Sequence, residues 1–408
     1  MTLRKKLLLI LFVLVLLSQV PFAYRRYRLG RLHAAILQVN SQRVTLDSGN
    51  LIEYKGVLHV HSFLGGHSTG TFEDIIAAAQ ANQLNFVIMT EHPSKNFNTA
   101  EMTLKGEHGG VLFINGNEVS TASGDRLLLL PGDASSDGQS STQQVLSRRT
   151  SGIALIAYPQ EFKSWEATGY NGIEVYNVYT NARQINPLVM FFDGLWSYRS
   201  YPDLLFANFY RRPAENLKRW DEQIYGKGER LVATAGNDSH ANVGVNLNDS
   251  TGKTLLGIKL DPYARSFRLV HLHVLTQDVS PLNGQHAFPA LNDKILLDAI
   301  AAGHCFIGFD LFGETAGFRF TAHDQNEERI MGDEIKLEDT VHLSVTLPIA
   351  GRIVLLKDGN IIQDESGTNK RDYTVTEKGS YRVEVYLPQL PKPASDQPWI
   401  ISNPIYVR

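Results

Sequence analysis

The sequence predicts an α/β fold that is followed by a small all-β domain. Between residues 55 and 249, short apolar runs alternate with stretches of helical pattern. Near-continuous apolar strands separated by helices indicate a parallel sheet that is covered on both faces or closed into a barrel. From about residue 315 the helical patterns stop, and alternating strands separated by turns indicate an antiparallel β-sandwich. Several of the apolar runs also end in polar residues, and these strand ends indicate where a functional site would lie.

Length and composition set the frame for this fold. A chain of 408 residues exceeds one average domain, and roughly two or three domains are expected. With 43% hydrophobic and 20% charged residues, the chain has enough apolar side chains for a sizeable core. A net charge of −3 gives no reason to expect a nucleic acid as partner. The single cysteine, Cys305, excludes an intramolecular disulfide framework.

The N-terminal segment, residues 1–31, differs in character from the rest. Basic residues at 4–6 precede an apolar run over 7–23, and a second basic cluster follows at 24–28. This pattern is typical of a signal peptide or a short membrane anchor. We favour an uncleaved anchor, because Pro21 interrupts the small-residue pattern that a cleavage site needs. Both flanks are basic, which leaves the orientation open. We expect a membrane-anchored or exported protein with an extracytoplasmic catalytic part.

The α/β part contains seven predicted strands, at 57–61, 86–89, 111–115, 127–130, 153–157, 172–176 and 231–234. A capping box at 71–74 begins the first helix. The aromatic segment 184–229 is an insertion or a long helical layer that we expect to pack rather than to bind. An amphipathic helix at 292–303 and a strand at 304–309 complete this part.

These patterns divide the chain into three regions. Residues 1–31 form the signal or anchor segment, and 33–50 connect it to the α/β core. The α/β domain covers 32–314, with its core motifs at 57–240. Residues 315–408 form the predicted β-sandwich, which we expect to dock against the α/β domain or a partner.

The first predicted strand carries a pair of histidines, His59 and His61. Residues i and i+2 of a strand point to the same face, so the two imidazoles lie on one side. Neutral imidazole suits zinc and iron, and a strand fixes the geometry of a ligand pair. His67, in the glycine-containing loop that follows, could fold back as a third ligand. The alternative interpretation is an ordinary polar alternation in a strand.

Polar residues close four of the predicted strands. His59 and His61 close the first strand, His92 follows the second, Glu118 the third, and Asp238 and His240 the last. In parallel α/β architectures the carboxyl ends of the strands form the floor of the active site. We therefore expect these side chains to converge.

Six short motifs occur in a fixed order along this region: His59-Val-His61-Ser, His67-Ser-x-Gly70-Thr71, Thr90-Glu91-His92, Gly116-Asn117-Glu118-Val-Ser, Gly172-Ile-Glu-Val-Tyr-Asn177 and Gly236-Asn237-Asp238-Ser239-His240. Together they resemble the polymerase and histidinol phosphatase (PHP) superfamily of metallohydrolases. The resemblance runs from about residue 57 to residue 240, nearly half of the chain. It implies a distorted (β/α)7 barrel with two or three metal ions at the C-terminal ends of the strands.

Carried over residue by residue, the resemblance implies two sets of metal ligands. The first set is His59, His61, Glu118 and Asp238. The second set is His67, His92 and His240. Glu118, Asp238 and His240 are also the candidate catalytic residues. A third ion of the family uses a histidine of a His-Pro pair, which here reads Tyr158-Pro159, so we expect two divalent ions, of zinc, manganese or iron.

The chemistry that this ligand set implies is hydrolysis. A metal ion lowers the pKa of bound water from about 15.7 towards about 7, so hydroxide becomes available at neutral pH. A second ion can stabilise the charge that develops on the substrate. We expect a phosphoesterase that acts on a small-molecule substrate. Two alternatives stay open: an amide or carbamate hydrolase on the same scaffold, and an inactive metal-binding or recognition module.

Four other side chains near the strand ends have two interpretations each. Lys95, Lys163 and Arg183 could bind an anionic group or be solvated surface charges. Tyr158 could donate a hydrogen bond to substrate or be a packed ring that replaced a ligand.

A second His-x-His pair, His271 and His273, lies outside these motifs. The apolar neighbours of the pair define the opposite face of a strand, and no acidic residue close in sequence supports the two as ligands. We interpret them as structural or surface histidines.

Overall fold

A computed structural model describes residues 2–46, 49–132, 138–183, 186–242, 244–248, 254–259, 261–277, 291–325 and 327–408. Two residues that bound predicted segments, Gln184 and Asp249, lie outside the described residues.

A single long helix, α1, begins the chain and covers Leu3–Asn40. Its apolar N-terminal part is exposed and is long and apolar enough to cross a membrane, which a signal sequence would also be. Further along, Leu29, Leu32, Ile36 and Val39 are buried against the body of the protein. Their spacing of three to four residues places them on one face of the helix. The helix therefore continues through residues 33–40, which the sequence had suggested to be a connecting segment.

The first half of the chain alternates strands with helices. In chain order its elements are β1 (Leu51–Val60), α2 (Phe72–Ala81), β2 (Phe86–Met89), α3 (Thr99–Met102), β3 (Gly106–His108), β4 (Val111–Ile114), β5 (Asn117–Ser120), β6 (Arg126–Leu130), α4 (Thr142–Arg148), β7 (Ile153–Ala157), β8 (Gly172–Asn177), α5 (Val178–Ala182), α6 (Pro187–Ser197), α7 (Ala214–Lys227) and β9 (Val232–Gly236).

The second half is dominated by strands. Its elements are β10 (Gly244–Asn248), β11 (Thr254–Lys259), α8 (Tyr263–Ser266), β12 (His271–Gln277), α9 (Asp293–Ala302), β13 (Cys305–Gly308), β14 (Arg319–His323), β15 (Glu328–Ile330), β16 (Glu334–Ile335), β17 (Val341–Lys357), β18 (Asn360–Val375), β19 (Gly379–Tyr386), β20 (Pro398–Ser402) and β21 (Ile405–Val407). Short 3₁₀ helices lie at Phe63–Gly65, Asp203–Asn208 and Ala394–Asp396.

Local sequence explains where the helices begin and end. Thr71 and Asp74 form the predicted capping box at the start of α2, each side chain accepting from the other's backbone N–H. Asn292 caps α9, and Gly303 ends it with a φ of 79°, a left-handed conformation that glycine adopts without strain.

Two large sheets form the framework, and their pairing is mixed. The first runs in the order β15-β14-β17-β19-β20-β13-β12-β1-β2-β4-β3, and the second is β5-β6-β7-β8-β9. Parallel pairs join β1, β2 and β4, and also β7, β8 and β9. The pairs β5–β6 and β1–β12 are antiparallel. The loop between β5 and β6 is too short for a parallel crossover, which explains the hairpin there. The predicted all-parallel sheet is therefore mixed instead.

The two sheets do not form one continuous closed ladder. Isolated parallel bridges connect them at Val60–Ser239 and at Glu91–Asn117. The bridges lie where the strands β1, β2 and β9 end and where β5 begins. The sheets are therefore joined at the edge where the predicted site residues lie.

The predicted strands at 86–89 and 153–157 are confirmed at both ends. Glu118, expected just after the third strand, lies instead within the separate short strand β5, between Asn117 and Ser120.

The C-terminal strands are antiparallel, and they continue the first sheet. Strand β20 pairs with β13, so the ladder runs from the C-terminal region into β12 and β1. The side chain of Asn403 accepts from the N–H of Ala233 at 2.7 Å and donates to the carbonyl of Cys305 at 2.8 Å. Residues beyond 315 are thus built into the same framework as β9.

A buried charge network holds this C-terminal region against α7. Arg382, which is only 2% exposed, donates to Asp221 on α7 at 2.7 and 2.8 Å and to Glu384 at 2.8 Å. Arg212 makes a bidentate pair with the same Glu384 at 2.6 and 2.7 Å. Each buried charge has partners, as burial requires. The C-terminal strands and the α/β part therefore pack as neighbours.

Candidate metal centre

Four buried side chains meet where the two sheets are joined. His59 and His61 come from the end of β1, Glu118 from β5, and Asp238 from the turn after β9. One ligand atom of each lies within 4.8 Å of the others. The Nε2 atoms of His59 and His61 are 3.3 and 3.4 Å from Glu118 Oε2, and each is 3.5 Å from Asp238 Oδ1. These are the four residues that the resemblance assigned to one ion.

A second group of three histidines shares one member with the first. His61, His92 and His240 also offer ligand atoms within 4.8 Å of one another. The ring of His61 stacks on that of His240, with centroids 4.3 Å apart, and on that of His92, at 4.8 Å. The structure thus brings His92 and His240 together with His61, where the resemblance had implied His67.

His67 lies at the edge of this second group. Its ring meets the ring of His92 edge-on, with centroids 5.1 Å apart. It also lines the cleft above the site. His67 is therefore adjacent to the group of His61, His92 and His240 but is not a member of it in this conformation.

Unsatisfied polar atoms test whether these residues fit a metal ion. Within the described part of the chain, both ring nitrogens of His61 and the Oδ1 of Asp238 are buried and have no hydrogen-bond partner. Buried polar groups are nearly always paired, so each such atom needs an explanation. Imidazole nitrogens and carboxylate oxygens directed at a common point are a ligand set for zinc, manganese or iron. The residues fit divalent metal ions.

A layer of hydrogen bonds orients the ligands from behind. Glu174 Oε1 contacts the Nδ1 of His59 at 2.6 Å, which leaves Nε2 facing the centre. Asn177 donates to Glu174 at 3.0 Å and to Asp238 Oδ2 at 3.2 Å. The hydroxyl of Tyr158 donates to the same Asp238 oxygen at 2.5 Å. Outer-layer hydrogen bonds of this kind fix the tautomer and the rotamer of metal ligands.

Arg126, on β6, places a positive charge at the edge of the site. Its guanidinium donates to Glu118 Oε1 at 2.8 Å, the carboxylate oxygen that does not approach the histidines. It also lies over the ring of Tyr158, 5.4 Å from the centroid. One edge of Glu118 therefore faces the histidines and the other faces a cation.

The backbone is strained at three of these residues. His59, Tyr158 and Asp238 have φ values of 70°, 50° and 48°, in the left-handed region that non-glycine residues seldom adopt. At His59 the register of β1 against β2 shifts, which marks a bulge. Such strain persists only where the surroundings fix it, and it is concentrated at functional sites.

Gly236, at the end of β9, shows how tightly the site is packed. A Cβ atom there would lie 1.7 Å from Glu174 Oε1 and 3.0 Å from the Cβ of His59. Only glycine lets β9 pass this close to the Glu174–His59 pair.

Burial and neighbouring charges shift the pKa values of the ligands in the centre. Burial favours the neutral form of Asp238, but His59, His61 and His240 outweigh it and hold the pKa of this carboxyl well below its usual range. Burial likewise opposes a charged His59, yet Glu174, Asp238 and Glu118 raise its pKa well above the usual value. Burial lowers the pKa of His61 to about 3. His61 is therefore neutral, as a metal ligand must be, whereas a metal ion bound by His59 would have to displace the proton that these carboxylates favour.

A cleft of about 820 Å³ opens over the centre. Lys95, Arg126 and Arg183 line it, together with His67, His92 and His240. Of the three cations that the sequence suggested for anion binding, Lys95 and Arg183 are thus placed at the cleft. Lys163 is not among the described residues that line it.

The second histidine pair is buried but is paired with acids. His271 Nδ1 contacts Asp310 at 2.7 Å, and His273 Nδ1 contacts Glu53 at 2.8 Å. His273 Nε2 lies 2.9 Å from Thr315 Oγ1 and 3.2 Å from Asp310. Together with Asp310, the two histidines also offer ligand atoms within 4.8 Å of one another, and the Nε2 of His271 is buried without a hydrogen-bond partner among the described residues. Their interpretation as structural histidines therefore stays a prediction. The acidic partners, which sequence proximity did not show, come from β1 and from the loop after β13.

Sequence reasoning missed the outer layer of the centre. Glu174 and Asn177 belong to one of the six motifs, but the sequence pattern assigns them no role, and it gives no signal for Arg126. Tyr158 was weighed as a donor to substrate or as a packed ring, whereas it donates to Asp238. The signal that could have found Glu174 is a carboxylate within an otherwise apolar strand, since such a group needs a buried partner.

Comparisons with known proteins give little to add to this geometry. No protein-family model matches the chain, and no curated protein matches it. PsfC from Pseudomonas syringae PB-5123 is 12% identical, over 61% of this chain and 89% of that chain, with a TM-score of 0.34. A two-domain protein from Bacteroides vulgatus ATCC 8482, which contains a predicted PHP-like metal-dependent phosphoesterase, is 13% identical over 89% of this chain and 98% of that chain, with a TM-score of 0.38. At these TM-scores the function has to be argued from the centre itself.

Proposed function

We propose that this protein is a metal-dependent hydrolase, and that its reaction is the hydrolysis of a phosphate ester. The observation that carries the proposal is the set of buried, unpartnered ligand atoms on His61 and Asp238, which meet His59 and Glu118 at one point. Buried polar atoms without a partner are uncommon, and metal ions at this point would satisfy those of His61 and Asp238.

Two ions would be held by the two overlapping groups. His59, His61, Glu118 and Asp238 would hold one, and His92 and His240 would hold the other, with either His61 or His67 completing the set. When bound, the ions would supply Lewis-acid charge and lower the pKa of a water molecule.

The chain's own residues prepare the site for this chemistry. Glu174 fixes the ring of His59 from behind, and Tyr158 fixes one oxygen of Asp238. Burial and the neighbouring Asp238 raise the pKa of Tyr158, so its hydroxyl stays protonated and keeps donating. The ligands therefore hold their positions with little reorganisation.

The cations of the cleft favour a phosphate ester over an amide or carbamate. Arg126 sits on Glu118 and Tyr158, at the position where the resemblance would place a third ion. Its fixed guanidinium can bind an anionic oxygen in two-pronged geometry, and Lys95 and Arg183 add positive charge at the mouth. The electrostatic attraction of these cations is strongest for a dianionic substrate.

The same proposal covers the fold and the location. We take the two sheets as halves of a distorted (β/α)7-type barrel that are joined at the bridges Val60–Ser239 and Glu91–Asn117. We take α1 as an uncleaved anchor that holds the catalytic part on the extracytoplasmic side of a membrane. We place the domain boundaries of the chain after residues 31 and 314.

The test is elemental analysis of the full-length protein in lipid nanodiscs, with hydrolysis of p-nitrophenyl phosphate and of a p-nitrophenyl carbamate assayed on the same sample. The full chain is needed because Leu29 and Leu32 pack into the body. We expect about two zinc, manganese or iron ions per chain and turnover of the phosphate.

Other outcomes lead elsewhere. Two ions with turnover of the carbamate alone would identify the amide or carbamate hydrolase. Full metal loading without turnover of either substrate would identify a binding module. Less than one ion after reconstitution would refute the metal centre itself.

A further inference from the structure

Helix α6 lies beside the anchor at the end of its apolar run. The ring of Phe192 packs on Phe22 with centroids 4.8 Å apart, and Trp196 donates to Gln19 at 3.0 Å. Asp193 accepts from Arg25 at 2.6 and 2.9 Å. These contacts lie where the apolar run of α1 gives way to basic residues. Since such a boundary marks the surface of a membrane, α6 lies at the depth of that surface.

The outer face of α6 is apolar and exposed. Leu188, Phe191 and Leu195 are 69%, 50% and 70% exposed, and their spacing places them on one face of the helix. Arg28 and Arg31 are exposed and line one pocket together with Val189 of α6, and the exposed Arg199 follows the end of the helix by two residues. Such basic side chains suit the anionic head groups of a bilayer. This face continues the lipid-contacting surface of α1, so the occupant that fits it is the bilayer that surrounds the anchor.

The inner face of α6 covers an apolar cavity of about 270 Å³. The helix contributes Met190, Gly194 and Asp193 to its wall, and the carboxylate of Asp193 is paired with Arg25. The opposite walls are Val178, Ala182, Phe206 and Phe209. This volume is near the lower end of the roughly 300–1,000 Å³ of small-molecule sites. The cavity suits a hydrocarbon group.

The cavity adjoins the metal centre. Asp238 and Ser239 form its inner end, so a ligand of the centre is also part of the cavity wall. Tyr179 and Arg183 line both the cavity and the cleft above the ions. The centroid of the Tyr179 ring lies 5.9 Å from that of the His240 ring. The guanidinium of Arg183 lies over the Tyr179 ring, 5.2 Å from its centroid. A molecule that spans this pair would place a polar head in the cleft and an apolar chain under α6.

We propose that the substrate is an amphiphilic phosphate ester: its phosphate binds at the metal centre, and its hydrocarbon chain binds in the cavity under α6, reached from the bilayer surface on which α6 rests. This inference rests on the proposed function. It adds the class of substrate and the route by which the substrate enters.

The first experiment measures phosphate release from ethyl, octyl and p-nitrophenyl phosphate by the metal-loaded, full-length protein in nanodiscs. Each methylene buried in an apolar pocket strengthens binding about fourfold, so even a chain that is only partly buried gains tenfold or more. We expect kcat/KM for octyl phosphate to exceed that for ethyl phosphate by at least about tenfold, mainly through KM. Equal values for the two alkyl esters would overturn the inference.

The second experiment fills the cavity. Met190→Trp is expected to bring the octyl-to-ethyl ratio of kcat/KM close to one. Ile361→Trp adds the same ring at a site on β18 that is 63% exposed, and it serves as the matched control with an unchanged ratio. If Met190→Trp does not fold, Met190→Ala enlarges the cavity and is expected to shift the preference to longer chains. An unchanged chain-length profile in the variant that folds would contradict the inference.

The third experiment separates this inference from the proposed function. Equilibrium dialysis measures binding of octylphosphonate to the metal-free protein in nanodiscs, with empty nanodiscs correcting for partition into lipid. We expect binding that weakens at least about tenfold in Met190→Trp. Such binding without any phosphate release would refute the phosphoesterase and retain the cavity as an alkyl site. Phosphate release without chain-dependent binding would retain the phosphoesterase and refute the cavity.

Discussion

Two His-x-His pairs lie on the neighbouring, antiparallel strands β1 and β12, and both are buried with carboxylates. In the pair His271 and His273, ring nitrogens contact carboxylate oxygens directly, at 2.7 and 2.8 Å. In the pair His59 and His61, the Nε2 atoms stay 3.3 to 3.5 Å from Glu118 and Asp238. The same residue types thus make short ion-pair contacts in one place and only longer contacts in the other, although His271, His273 and Asp310 also offer ligand atoms within 4.8 Å of one another.

The difference shows what distinguishes a metal site from a buried ion pair. A nitrogen and an oxygen that share a proton come within about 2.7–2.9 Å. Ligands that share a metal ion are held further apart, because each must reach the ion rather than its neighbour. Hydrogen bonds from Glu174, Tyr158 and Arg126 keep the carboxylates and His59 of the centre in such positions. At the second cluster Thr315 contacts His273 and Arg319 contacts Glu53 instead, while the Nε2 of His271 has no hydrogen-bond partner among the described residues.

The largest effect is expected from removing the charge of one ligand. Asp238→Asn is expected to lower turnover roughly a thousandfold or more, because the ions lose an anionic ligand and the transition state loses their charge. Elemental analysis of the same sample should show fewer ions per chain. Asp310→Asn is the matched control from the second cluster, and we expect it to leave metal content unchanged. Loss of metal in Asp310→Asn would erase the distinction between the two clusters.

The second cluster is expected to respond in stability instead. Asp310→Asn leaves the buried His273 without one of its counter-charges, and breaking a buried ion pair costs about 3–5 kcal/mol. Urea unfolding of the full chain in detergent measures this loss of unfolding free energy. Added zinc should still stabilise Asp310→Asn, as it stabilises the wild type, whereas it should not stabilise Asp238→Asn. An unfolding free energy within 1 kcal/mol of wild type would show that the pair is not a structural one.

The second cluster should also give stability a dependence on pH. Burial opposes a charge on His273, but Asp310 and Glu53 outweigh it and raise its pKa from 6.5 to about 9. A raised pKa means that the folded state binds the proton more tightly. The contribution, about 3 kcal/mol, is fully present below pH 6.5 and is lost as the pH rises through about 9. Urea unfolding between pH 6 and pH 10 measures it, and the difference between wild type and His273→Gln isolates it. A difference that does not change with pH would contradict this ionisation.

The smallest effect is expected from the layer behind the ligands. Glu174→Gln keeps a hydrogen-bond acceptor beside His59 but removes its charge, and we expect metal affinity to fall about 10–100-fold. Competition with a chelator measures the affinity. Glu53→Gln makes the same change beside His273 and should leave metal affinity as it is. Equal effects of the two substitutions would mean that Glu174 has no special role in orienting the ligands.

The signals by which the sequence indicated the candidate ligands are local. Apolar runs fixed the strands, and polar residues where those runs end pointed to His59, His61, His92, Glu118, Asp238 and His240. The structure brings these six together in two overlapping groups. His67 was the weakest of the seven, since its loop position depends on how the chain folds back rather than on a strand period.

The partners of these residues were beyond sequence reasoning, because tertiary pairing selects them. In the pairing of β1 with β12, Lys55 lies opposite His273. Glu53, two residues before Lys55 on the same face of β1, is therefore the diagonal neighbour of His273 and can reach it. Arg126 reaches Glu118 across the antiparallel pair β5–β6. Mixed pairing was hidden for the same reason, since an apolar run looks alike in a parallel and in an antiparallel sheet.

The contact of Asn403 with Ala233 and Cys305 has a consequence for how the protein is made. These hydrogen bonds and the β20–β13 pairing complete the framework beside β9, whose end positions Asp238. Contacts between residues so far apart in sequence form late and slow folding. During synthesis, the edge of β13 would stay unpaired and open to aggregation until residues 398–403 emerge. A premature stop codon before residue 398 would therefore disable the distant centre as surely as a change in one of its ligands.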